Sequence, residues 1–395
     1  MKDPLSHGAC VRRAVKGGNR DLPCPVSEGL HIKNEEGLKM NHIEKIREEL
    51  NRRGFDALLI SDEKNQRYAA GFPFTDGAVL VGREKAFLIT DSRYIEAAEK
   101  QAEGVEVRLF DREHPLVQRL REAVSELGAE KLAAEDQKLS HAGFLGWEKK
   151  LGVRLYCAGD FFMKLRAVKT EEEIASMIRA QRISEAALEE VLPLIRPGVS
   201  ERELAAELVY RMLRHGSEGN SFDPIVVSGA KTSLPHGVPG DKLIEAGDFV
   251  TMDFGCLKDG YCSDMTRTVA VGSATDEMKN VYEIVLRAQL AGIAAAKAGV
   301  IGKEIDAAAR KVIADAGYGE YFGHGFGHCL GLDIHEPPTA GPLGNAPMPA
   351  GCVSSAEPGI YLPGRFGVRI EDVMIIREDG AEVITRAPKD ELIIL

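Results

Sequence analysis

The fold is decided by two neighbouring segments, GDFVTMDFG at residues 247–255 and YCSDMTRT at residues 261–268. They read as two β-strands joined by a turn at Lys258-Asp259-Gly260, because Asp-Gly between apolar or β-branched runs is a strong hairpin signal. Strand alternation places Thr251 and Asp253 on one face, with their apolar neighbours on the other.

The pairing register decides where the second carboxylate of this hairpin lies. A turn centred on Asp259-Gly260 places Asp264 opposite Gly255, so that Asp264 shares a face with Asp253 as a diagonal neighbour. A turn centred on Lys258-Asp259 places the two carboxylates directly opposite, and a slip of one residue separates their faces. Unpaired buried charge is costly, and a bound metal ion is its commonest remedy.

Length, composition and charge bound the class of protein. The 395 residues suggest two or three domains, and 44% apolar with 28% charged residues is ordinary for a globular chain. No run of 18 apolar residues predicts a transmembrane helix, and the N-terminus lacks the apolar segment of a secretory signal. A net charge of −11 without a basic stripe argues against nucleic acid. We therefore expect a cytoplasmic protein with no membrane or nucleic-acid partner.

The cysteines fit a reducing compartment. There are seven, an odd number, and they lack C-x-x-C spacing, which is not typical of a disulfide framework. We expect five of them to be small buried hydrophobic side chains: Cys157, Cys256, Cys262, Cys329 and Cys352.

Residues 1–39 differ in character from the rest of the chain. They hold three prolines, two cysteines and no periodic apolar pattern. We interpret them as a disordered or non-native leader. Glu35-Glu36-Gly37 ahead of Met40 can be encoded by a purine-rich run that resembles a bacterial ribosome-binding site, so Met40 is a candidate start.

Residues 40–162 alternate helical and strand patterns, which predicts a small α/β domain that covers or shapes an active site. A helical face that begins at Ile43 ends at Gly54, a typical C-terminal stop. Asp91-Ser92 is interpreted as a helix cap rather than a site. Strands are predicted at 57–60, 77–81, 86–90, 105–110, 131–135 and 153–157, and helices near 93–101, 115–127 and 139–150.

Residues 163–395 contain two similar helix pairs. Thr170 and Glu173 form a capping-box pattern at the start of a helix that runs to about Ile195, and a second helix covers about 200–215. The segment GVSEREL at 198–204 matches GVIGKEI at 299–305, and both following helices reach a glycine at the same offset of 101 residues. This predicts an internal duplication that forms a pseudo-symmetric sheet flanked by helices, with chance similarity as the alternative.

Further polar clusters accompany the hairpin. Residues 357–371 read as a second hairpin, in which a three-residue loop centred on Gly364 places Glu357 directly opposite Glu371. Like charges so placed are destabilising unless a positive charge lies between them. The remaining clusters are histidines beside glycine, proline or carboxylate residues: His236, His324, His328 and His335.

Four carboxylates and one histidine form the candidate metal-binding set. Four negative charges balance two divalent cations, and oxygen ligands with one imidazole suit manganese, cobalt, zinc or iron. Two such cations can hold a bridging water, lower its pKa and stabilise an oxyanion. The spacing alone leaves a dinuclear metal site and a polar core equally open.

These residues together resemble the metallopeptidases of the pita-bread fold, which include methionine aminopeptidase, aminopeptidase P and prolidase. Residues 163–395 resemble the catalytic domain, and residues 40–162 resemble the N-terminal domain that aminopeptidase P, prolidase and creatinase share. Methionine aminopeptidases lack that domain, so the resemblance favours the proline-specific members of the family. Residues 1–39 resemble no part of these proteins. The motifs that carry it are Pro-His-Gly at 235–237, Asp-Phe-Gly at 253–255, Ser-Asp-Met-Thr-Arg-Thr at 263–268, Glu-Pro-Gly-Ile-Tyr at 357–361 and Arg-Ile-Glu-Asp at 369–372.

The resemblance implies a role for each motif residue. Asp264 and Glu371 would bridge two metal ions, and Glu357 would also orient the attacking water and help to move its proton. The full implied ligand set is Asp253, Asp264, His328, Glu357 and Glu371. The residues implied to act on substrate are His236, which contacts it, His335, which stabilises the tetrahedral intermediate, and His324, Tyr361 and Arg369, which shape or support the pocket.

Three positions depart from the pattern of the family. Phe326 stands where a small or hydroxylated residue is usual, Cys329 where glycine is usual, and Ala356 where a larger aliphatic side chain is common. We interpret Phe326 with Ala356 as an exchange of volume across the core.

The resemblance implies a homodimeric metallohydrolase that cleaves the bond between an N-terminal residue and proline, in dipeptides or in longer peptides. The implied cofactors are two divalent cations, with manganese first and cobalt or zinc as alternatives. Two rival hypotheses are a metal-free hydrolase like creatinase and a non-catalytic binding module. The complete ligand set argues against both.

A chain that begins at Met40 should fold and keep full activity, because we interpret the preceding residues as no part of the domain structure. Thermal melting by circular dichroism and peptide hydrolysis, each compared with the full chain, measure this. Loss of folding or of activity in the shorter chain would contradict the interpretation.

Overall fold

A computed structural model describes residues 42–395. The leader predicted at residues 1–39 and the candidate start at Met40 lie outside the described residues. Within the described part of the chain, every helix is too short or too polar to cross a lipid bilayer.

The N-terminal part is a six-stranded mixed sheet with helices packed on it. The strand order is β4-β3-β2-β1-β5-β6, with antiparallel pairing in the β1-β2-β3 meander and parallel pairing elsewhere. Its elements are α1 (Ile43–Arg53), β1 (Ala57–Ile60), α2 (Glu63–Ala70), β2 (Gly77–Gly82), β3 (Ala86–Thr90), α3 (Ile95–Gln101), β4 (Glu106–Leu109), α4 (Leu116–Leu127), β5 (Leu132–Ala134), α5 (His141–Leu151), β6 (Leu155–Cys157) and α6 (Phe161–Ala167).

The predicted strands of this part are confirmed, and so are the predicted helices. The first helix ends at Gly54, whose φ of 71° is left-handed. The sequence reading missed α2 and α6. The predicted cap at Asp91-Ser92 is wrong, since Tyr94 precedes α3 and makes no side-chain cap, while the Asp91 carboxylate accepts hydrogen bonds from Arg93.

One cysteine prediction is also wrong. Cys157 is exposed, because it ends β6 and this strand is the edge of the six-stranded sheet. The other four cysteines within the described residues are buried and free, as predicted: Cys256, Cys262, Cys329 and Cys352.

The C-terminal part is built from helices packed against antiparallel strands. The predicted helix from Thr170 has its capping box but ends at Val191, because Pro193 lacks an amide hydrogen and a 3-10 turn follows. The elements are α7 (Glu171–Val191), α8 (Glu201–Arg214), β7 (Gly219–Asn220), β8 (Ile225–Ser228), β9 (Phe249–Phe254), β10 (Cys256–Lys258), β11 (Tyr261–Cys262), β12 (Met265–Ala270), α9 (Asp276–Ala295), α10 (Gly302–Asp315), β13 (Gly327–Cys329), β14 (Glu336–Ala340), β15 (Val353–Ala356), β16 (Gly359–Leu362), β17 (Phe366–Arg369), β18 (Asp372–Ile376) and β19 (Ala381–Val383).

The two helix pairs and their strands repeat in the structure as the internal duplication predicts. Helices α8 and α10 begin and end at the predicted offset of 101 residues. Three neighbouring strands follow in each half: β8-β9-β12 form a three-stranded sheet in the first, and β13-β15-β18 are the centre of a five-stranded sheet in the second. Isolated bridges at equivalent places, Ser200 with Leu243 and Ile301 with Pro347, tie each helix start to the loop before its central strand.

The first hairpin has the first of the two predicted registers. Asp259 and Gly260 both have positive φ, 52° and 77°, as a two-residue turn that matches strand twist requires. The pairs Met265 with Phe254 and Leu257 with Cys262 share one register, which sets Asp264 level with Gly255. The hairpin is interrupted at this level, because β9-β12 and β10-β11 belong to different sheets.

The second hairpin repeats this interruption. Its loop has three residues centred on Gly364, with a φ of 71°, as predicted. The β15-β18 ladder ends at Ala356 with Asp372, and the β16-β17 ladder begins at Gly359 with Arg369. Glu357 and Glu371 lie in the gap between these ladders, so the predicted register is confirmed although neither residue belongs to a strand.

The core beside this hairpin packs around Phe326. The ring of Phe326 lies against Gly292 of α9, where a Cβ would come within 2.3 Å of it. Ala356 belongs to the same buried cluster. The small residue that faces the ring is therefore Gly292, and an exchange of volume with Ala356 stays a prediction.

Replacement of Gly292 by Ala should lower the free energy of unfolding by about 1–3 kcal/mol, because the added methyl overpacks the Phe326 ring. Gly146 of α5 is the matched control, since a Cβ there meets no atom within 4 Å. Gly146→Ala should be neutral or stabilising by about 0.5–1 kcal/mol. Urea unfolding measures both, and equal effects of the two substitutions would contradict this packing.

Candidate metal centre and active site

The structure brings all five implied metal ligands into one cavity of about 830 Å³. Ligand atoms of Asp264, His328 and Glu371 lie within 4.8 Å of one another. Asp253 and Glu357 line the same cavity. Residues separated by up to 118 positions in the sequence therefore converge: Asp264, Glu357 and Glu371 come from the interruptions of the two hairpins, Asp253 from β9 and His328 from β13.

Asp253 is held at one oxygen and unpartnered at the other. Its Oδ2 accepts a hydrogen bond of 2.6 Å from Nη2 of Arg369, while its Oδ1 is buried without a hydrogen-bond partner. Burial raises the pKa of Asp253, and the Arg369 charge opposes that rise. A buried carboxylate oxygen that no donor satisfies is a suitable ligand for a cation.

His328 presents its free nitrogen to the carboxylates. Its Nδ1 lies 3.1 Å from the carbonyl oxygen of Cys329, which requires a proton on Nδ1. Its Nε2 lies 3.3 Å from Glu357 Oε1 and 3.6 Å from Asp264 Oδ2. In this orientation Nε2 can carry either a proton or a metal ion toward the carboxylates.

The electrostatics of the cluster favour an added positive charge. Burial raises the pKa of Asp264 well above its usual range, and the nearby Glu371 adds to the rise. Burial likewise raises the pKa of Glu371, with Glu357 and Asp253 as further causes. For Glu357 burial acts in the same direction, but the hydrogen bond with His328 prevails and lowers the pKa to about 2.

The residues present therefore fit divalent cations. Four carboxylates, one of which has an orphaned buried oxygen, and one imidazole form a donor set of mainly hard ligands. Without cations the charge is relieved by protons on Asp264, Glu371 and His328, whose pKa values are all raised. Cations that replace those protons would let all four carboxylates ionise.

Arg369 joins the two hairpins behind the ligands. Besides Asp253, its guanidinium donates to Thr266 Oγ1 at 3.0 Å and to the carbonyl oxygen of Pro235 at 3.3 Å. Only 3% of Arg369 is exposed. Arg369 therefore fixes a ligand, the opposite hairpin and the loop that carries His236.

Tyr361 and His324 continue this network toward the cavity. Arg369 Nη1 donates to the Tyr361 hydroxyl at 2.9 Å, and that hydroxyl lies 2.8 Å from His324 Nε2. Since His324 Nδ1 faces the carbonyl oxygen of Gly325 at 2.8 Å, Tyr361 donates and His324 accepts. His324 lines the cavity, whereas Tyr361 lies behind it.

The other two histidines also line the cavity. The rings of His335 and His328 are 4.4 Å apart and nearly perpendicular. Burial lowers the pKa of His335, and the neighbouring His328 lowers it further. His236 lies on the loop whose preceding carbonyl, that of Pro235, is held by Arg369.

Sequence reasoning missed three residues that hold the ligands. The Thr266 hydroxyl donates to Glu371 Oε2 at 2.7 Å, and the Ser355 hydroxyl donates to Glu357 Oε1 at 3.0 Å. Buried Gln289 of α9 donates to the carbonyl oxygens of Ala356 and Ile370, the residues before both glutamates. Thr266 belongs to the Ser-Asp-Met-Thr-Arg-Thr motif, so the sequence could have indicated its role at the site. Gln289 lies in α9, where no sequence motif points to a role at the site.

The geometry defines a class: a duplicated helix-and-strand domain with carboxylate and histidine ligands, preceded by a smaller α/β domain. Comparisons of the sequence agree with it. The profile of Metallopeptidase family M24 matches residues 175–378, and that of the Creatinase/Prolidase N-terminal domain matches residues 42–168. The chain belongs to the M24 metallopeptidase family.

Similar proteins cover nearly the whole described chain. An Xaa-Pro dipeptidase of Bacillus anthracis has a solved structure with a TM-score of 0.85 and 44% identity, over 89% of this chain and 99% of that one. The solved structure of an X-Pro aminopeptidase of Thermotoga maritima has a TM-score of 0.84 and 38% identity, over 88% of this chain and 100% of that one. An Xaa-Pro dipeptidase of Pyrococcus horikoshii is 36% identical in sequence, over 88% of this chain and 97% of that protein.

Addition of Mn²⁺ to metal-free protein should release protons near neutral pH, because the raised pKa values of Asp264 and Glu371 keep protons in the site. Affinity should therefore rise with pH. Titration calorimetry in two buffers of different ionisation enthalpy counts the protons released.

Asp264→Asn should release fewer protons and bind Mn²⁺ more weakly, by at least about 10–100-fold. The matched control is Asp241→Asn, since Asp241 is an exposed carboxylate in an ion pair with Arg202. Equal Mn²⁺ uptake by Asp264→Asn and the wild type would show that the site does not bind the metal as assigned.

Proposed function

We propose that this metallopeptidase hydrolyses the bond between an N-terminal residue and proline, with two divalent cations bound by Asp253, Asp264, His328, Glu357 and Glu371. The observation that carries the proposal is the convergence of these five side chains in one cavity with His236 and His335. Family membership and relatives whose names specify Xaa-Pro substrates support it.

The cations would lower the pKa of a bound water and polarise the scissile carbonyl. Glu357 is placed to accept the proton of that water, since its pKa of about 2 keeps it ionised. His335 and His236 line the same cavity as the ligands, where each would be able to donate a hydrogen bond to the oxygen of the tetrahedral intermediate. His324 accepts from Tyr361, which fixes its ring in the wall of the pocket.

The apolar wall of the cavity suits proline. Besides the ligands and histidines, it contains many apolar side chains. Proline has a fixed φ and its preceding amide has no hydrogen, so a complementary pocket can select it without donors to that nitrogen. The apolar lining residues are Phe222, Pro224, Ile225, Pro235, Val238, Pro239, Ile334, Pro342 and Leu343.

Dipeptides are the first candidate substrates, since two of the compared relatives are named dipeptidases. Longer peptides are a second candidate, favoured by the charge of the cavity. Among the described residues, Arg369 is the cavity's only arginine or lysine, and it is already bound to Asp253 and Tyr361. The free carboxylate of a dipeptide would have no cation of the chain to pair with, and exposed Asp223 lies in the same wall.

Two finer parts of the proposal, the metal and the dimer, rest on the family resemblance, and a third, the location, rests on the composition of the chain. The physiological metal is manganese, the active form is a homodimer, and the protein works in the cytoplasm. A metal-free hydrolase is the rival reading, and elemental analysis of the purified protein separates the two. The orphaned oxygen of Asp253 favours the metal-dependent reading.

Hydrolysis of Ala-Pro and of Ala-Pro-Ala should exceed that of Ala-Ala with Mn²⁺, Co²⁺ or Zn²⁺ tested in turn. Asp264→Ala should reduce kcat/KM to below about 10⁻³ of wild type, because several kcal/mol of metal-assisted stabilisation are lost. Chromatography of the released amino acid measures both, and the exposed-site variant Asp241→Ala is the matched control. Undiminished turnover by metal-reconstituted Asp264→Ala would refute the assignment, and equal rates on Ala-Ala would refute the preference for proline.

A further inference from the structure

The loop that carries His335 is held by two carboxylates that lie outside the active-site cavity. Asp333 and Glu336 flank His335 in the sequence, and neither lines the cavity of the metal ligands. The backbone nitrogen of Asp333 donates to Glu336 Oε1 at 3.1 Å, which closes the loop on itself. Gly331, at the start of this loop, lies close to the same carboxylate, since a Cβ on it would come within 2.8 Å of Glu336 Oε2.

Both carboxylates meet one buried guanidinium. Arg166 of α6 is only 6% exposed, and its Nη2 donates to Asp333 Oδ2 at 2.7 Å and to Glu336 Oε1. Lys169, also buried, donates to Glu336 Oε2 at 2.9 Å. Both cations belong to the stretch that joins the N-terminal sheet to α7. The His335 loop is therefore bound to the segment that connects the N-terminal part to the C-terminal part.

The same guanidinium is fixed from the N-terminal sheet. Arg166 Nη1 donates to Asn65 Oδ1 at 2.9 Å, and Asn65 Nδ2 donates to Glu135 Oε1 at 2.7 Å. The other Glu135 oxygen accepts from the backbone nitrogens of Ser61 at 2.6 Å and Asp62 at 2.9 Å. A continuous chain of hydrogen bonds therefore runs from the ends of β1 and β5 to the loop of His335.

The charges of this network are mutually satisfied. Lys64 Nζ lies 2.6 Å from Asp333 Oδ1 at the surface. Burial alone would raise the pKa of Asp333, but the Lys64 hydrogen bond and the Arg166 charge hold it well below its usual range. The lowered pKa favours the ionised form of Asp333, and Arg166 Nη2 therefore has one carboxylate partner on each side of His335.

We propose that Arg166 is a positioning residue, which fixes the His335 imidazole beside the metal centre by holding Asp333 and Glu336 from the N-terminal domain. The role of His335 at the tetrahedral intermediate is part of the function proposed above, and this inference rests on it. An arginine suits this place because Nη1 reaches the Asn65 amide oxygen while Nη2 reaches both carboxylates, whereas a lysine would have to serve all three acceptors from a single nitrogen. A displacement of about 1 Å in a catalytic group can cost about 100-fold in rate.

The experiment is a double-mutant cycle in the full chain, with Arg166→Lys and His335→Ala made singly and together. Arg166→Lys should lower kcat by about 10–100-fold with little change in KM or in bound metal. In the His335→Ala background the same substitution should have no further effect, because Arg166 acts through His335. The matched control is Arg67→Lys, since Arg67 of α2 pairs across the same domains with Glu218 at 3.5 Å and does not touch the His335 loop.

A second readout does not depend on activity. With histidine labelled at its ring carbons, the His335 signal, identified by its loss in His335→Ala, should shift in Arg166→Lys and stay unchanged in Arg67→Lys. If the wild type did not cleave Xaa-Pro peptides, the proposed function would fail while this spectrum would still decide the positioning role. Asp333→Asn is the substitute where Arg166→Lys does not fold, because Asp333 is only half-buried, and the same shift and cycle are expected.

Equal losses of kcat from Arg166→Lys with and without His335 would overturn the proposal, since a general structural effect is additive. An unshifted His335 signal in folded Arg166→Lys or Asp333→Asn would overturn it as well. A shift of that signal together with a non-additive cycle and unchanged metal content would establish it.

Discussion

Four carboxylates are buried side by side between two hairpins, and the rest of the catalytic half depends on how their charge is balanced. Among the described residues, the cavity has one arginine or lysine, Arg369, and its ion pair is with Asp253. The remaining charge is met by His328 and by raised pKa values at Asp264 and Glu371. The raised pKa values couple metal binding to pH in one site, because a cation that binds there competes with the protons of these carboxyl groups.

The internal duplication explains why the ligands face each other. In each half a central antiparallel ladder stops and a second ladder begins two or three residues later, in an unchanged register. Backbone groups in these gaps are released from the ladder, and the side chains of Asp264, Glu357 and Glu371 project from them. Gln289 and Arg369 make hydrogen bonds across these gaps. The ligands are therefore held by contacts between different helices and strands.

The N-terminal domain contributes more than a cover. Its hydrogen-bond chain through Asn65 reaches Arg166 and from there both carboxylates that flank His335. Glu173, the capping-box residue of α7, also accepts from Tyr261 of the first hairpin at 2.7 Å and lies 3.5 Å from His42. Buried polar contacts therefore join the N-terminal and C-terminal domains. Such contacts require a specific geometry, whereas apolar packing does not.

Local pattern in the sequence determined most of the elements, two candidate registers for the first hairpin, the register of the second hairpin and the motif residues of this protein. The Asp259-Gly260 turn fixes the register of the first hairpin, and the three-residue loop at Gly364 fixes that of the second, because turn geometry and strand alternation act over a few residues. Only the tertiary structure decided that the ladders break at the carboxylates, that Gly292 receives Phe326, and that Arg166 joins two domains to one loop. Those features depend on contacts between distant segments, for which no local periodicity exists.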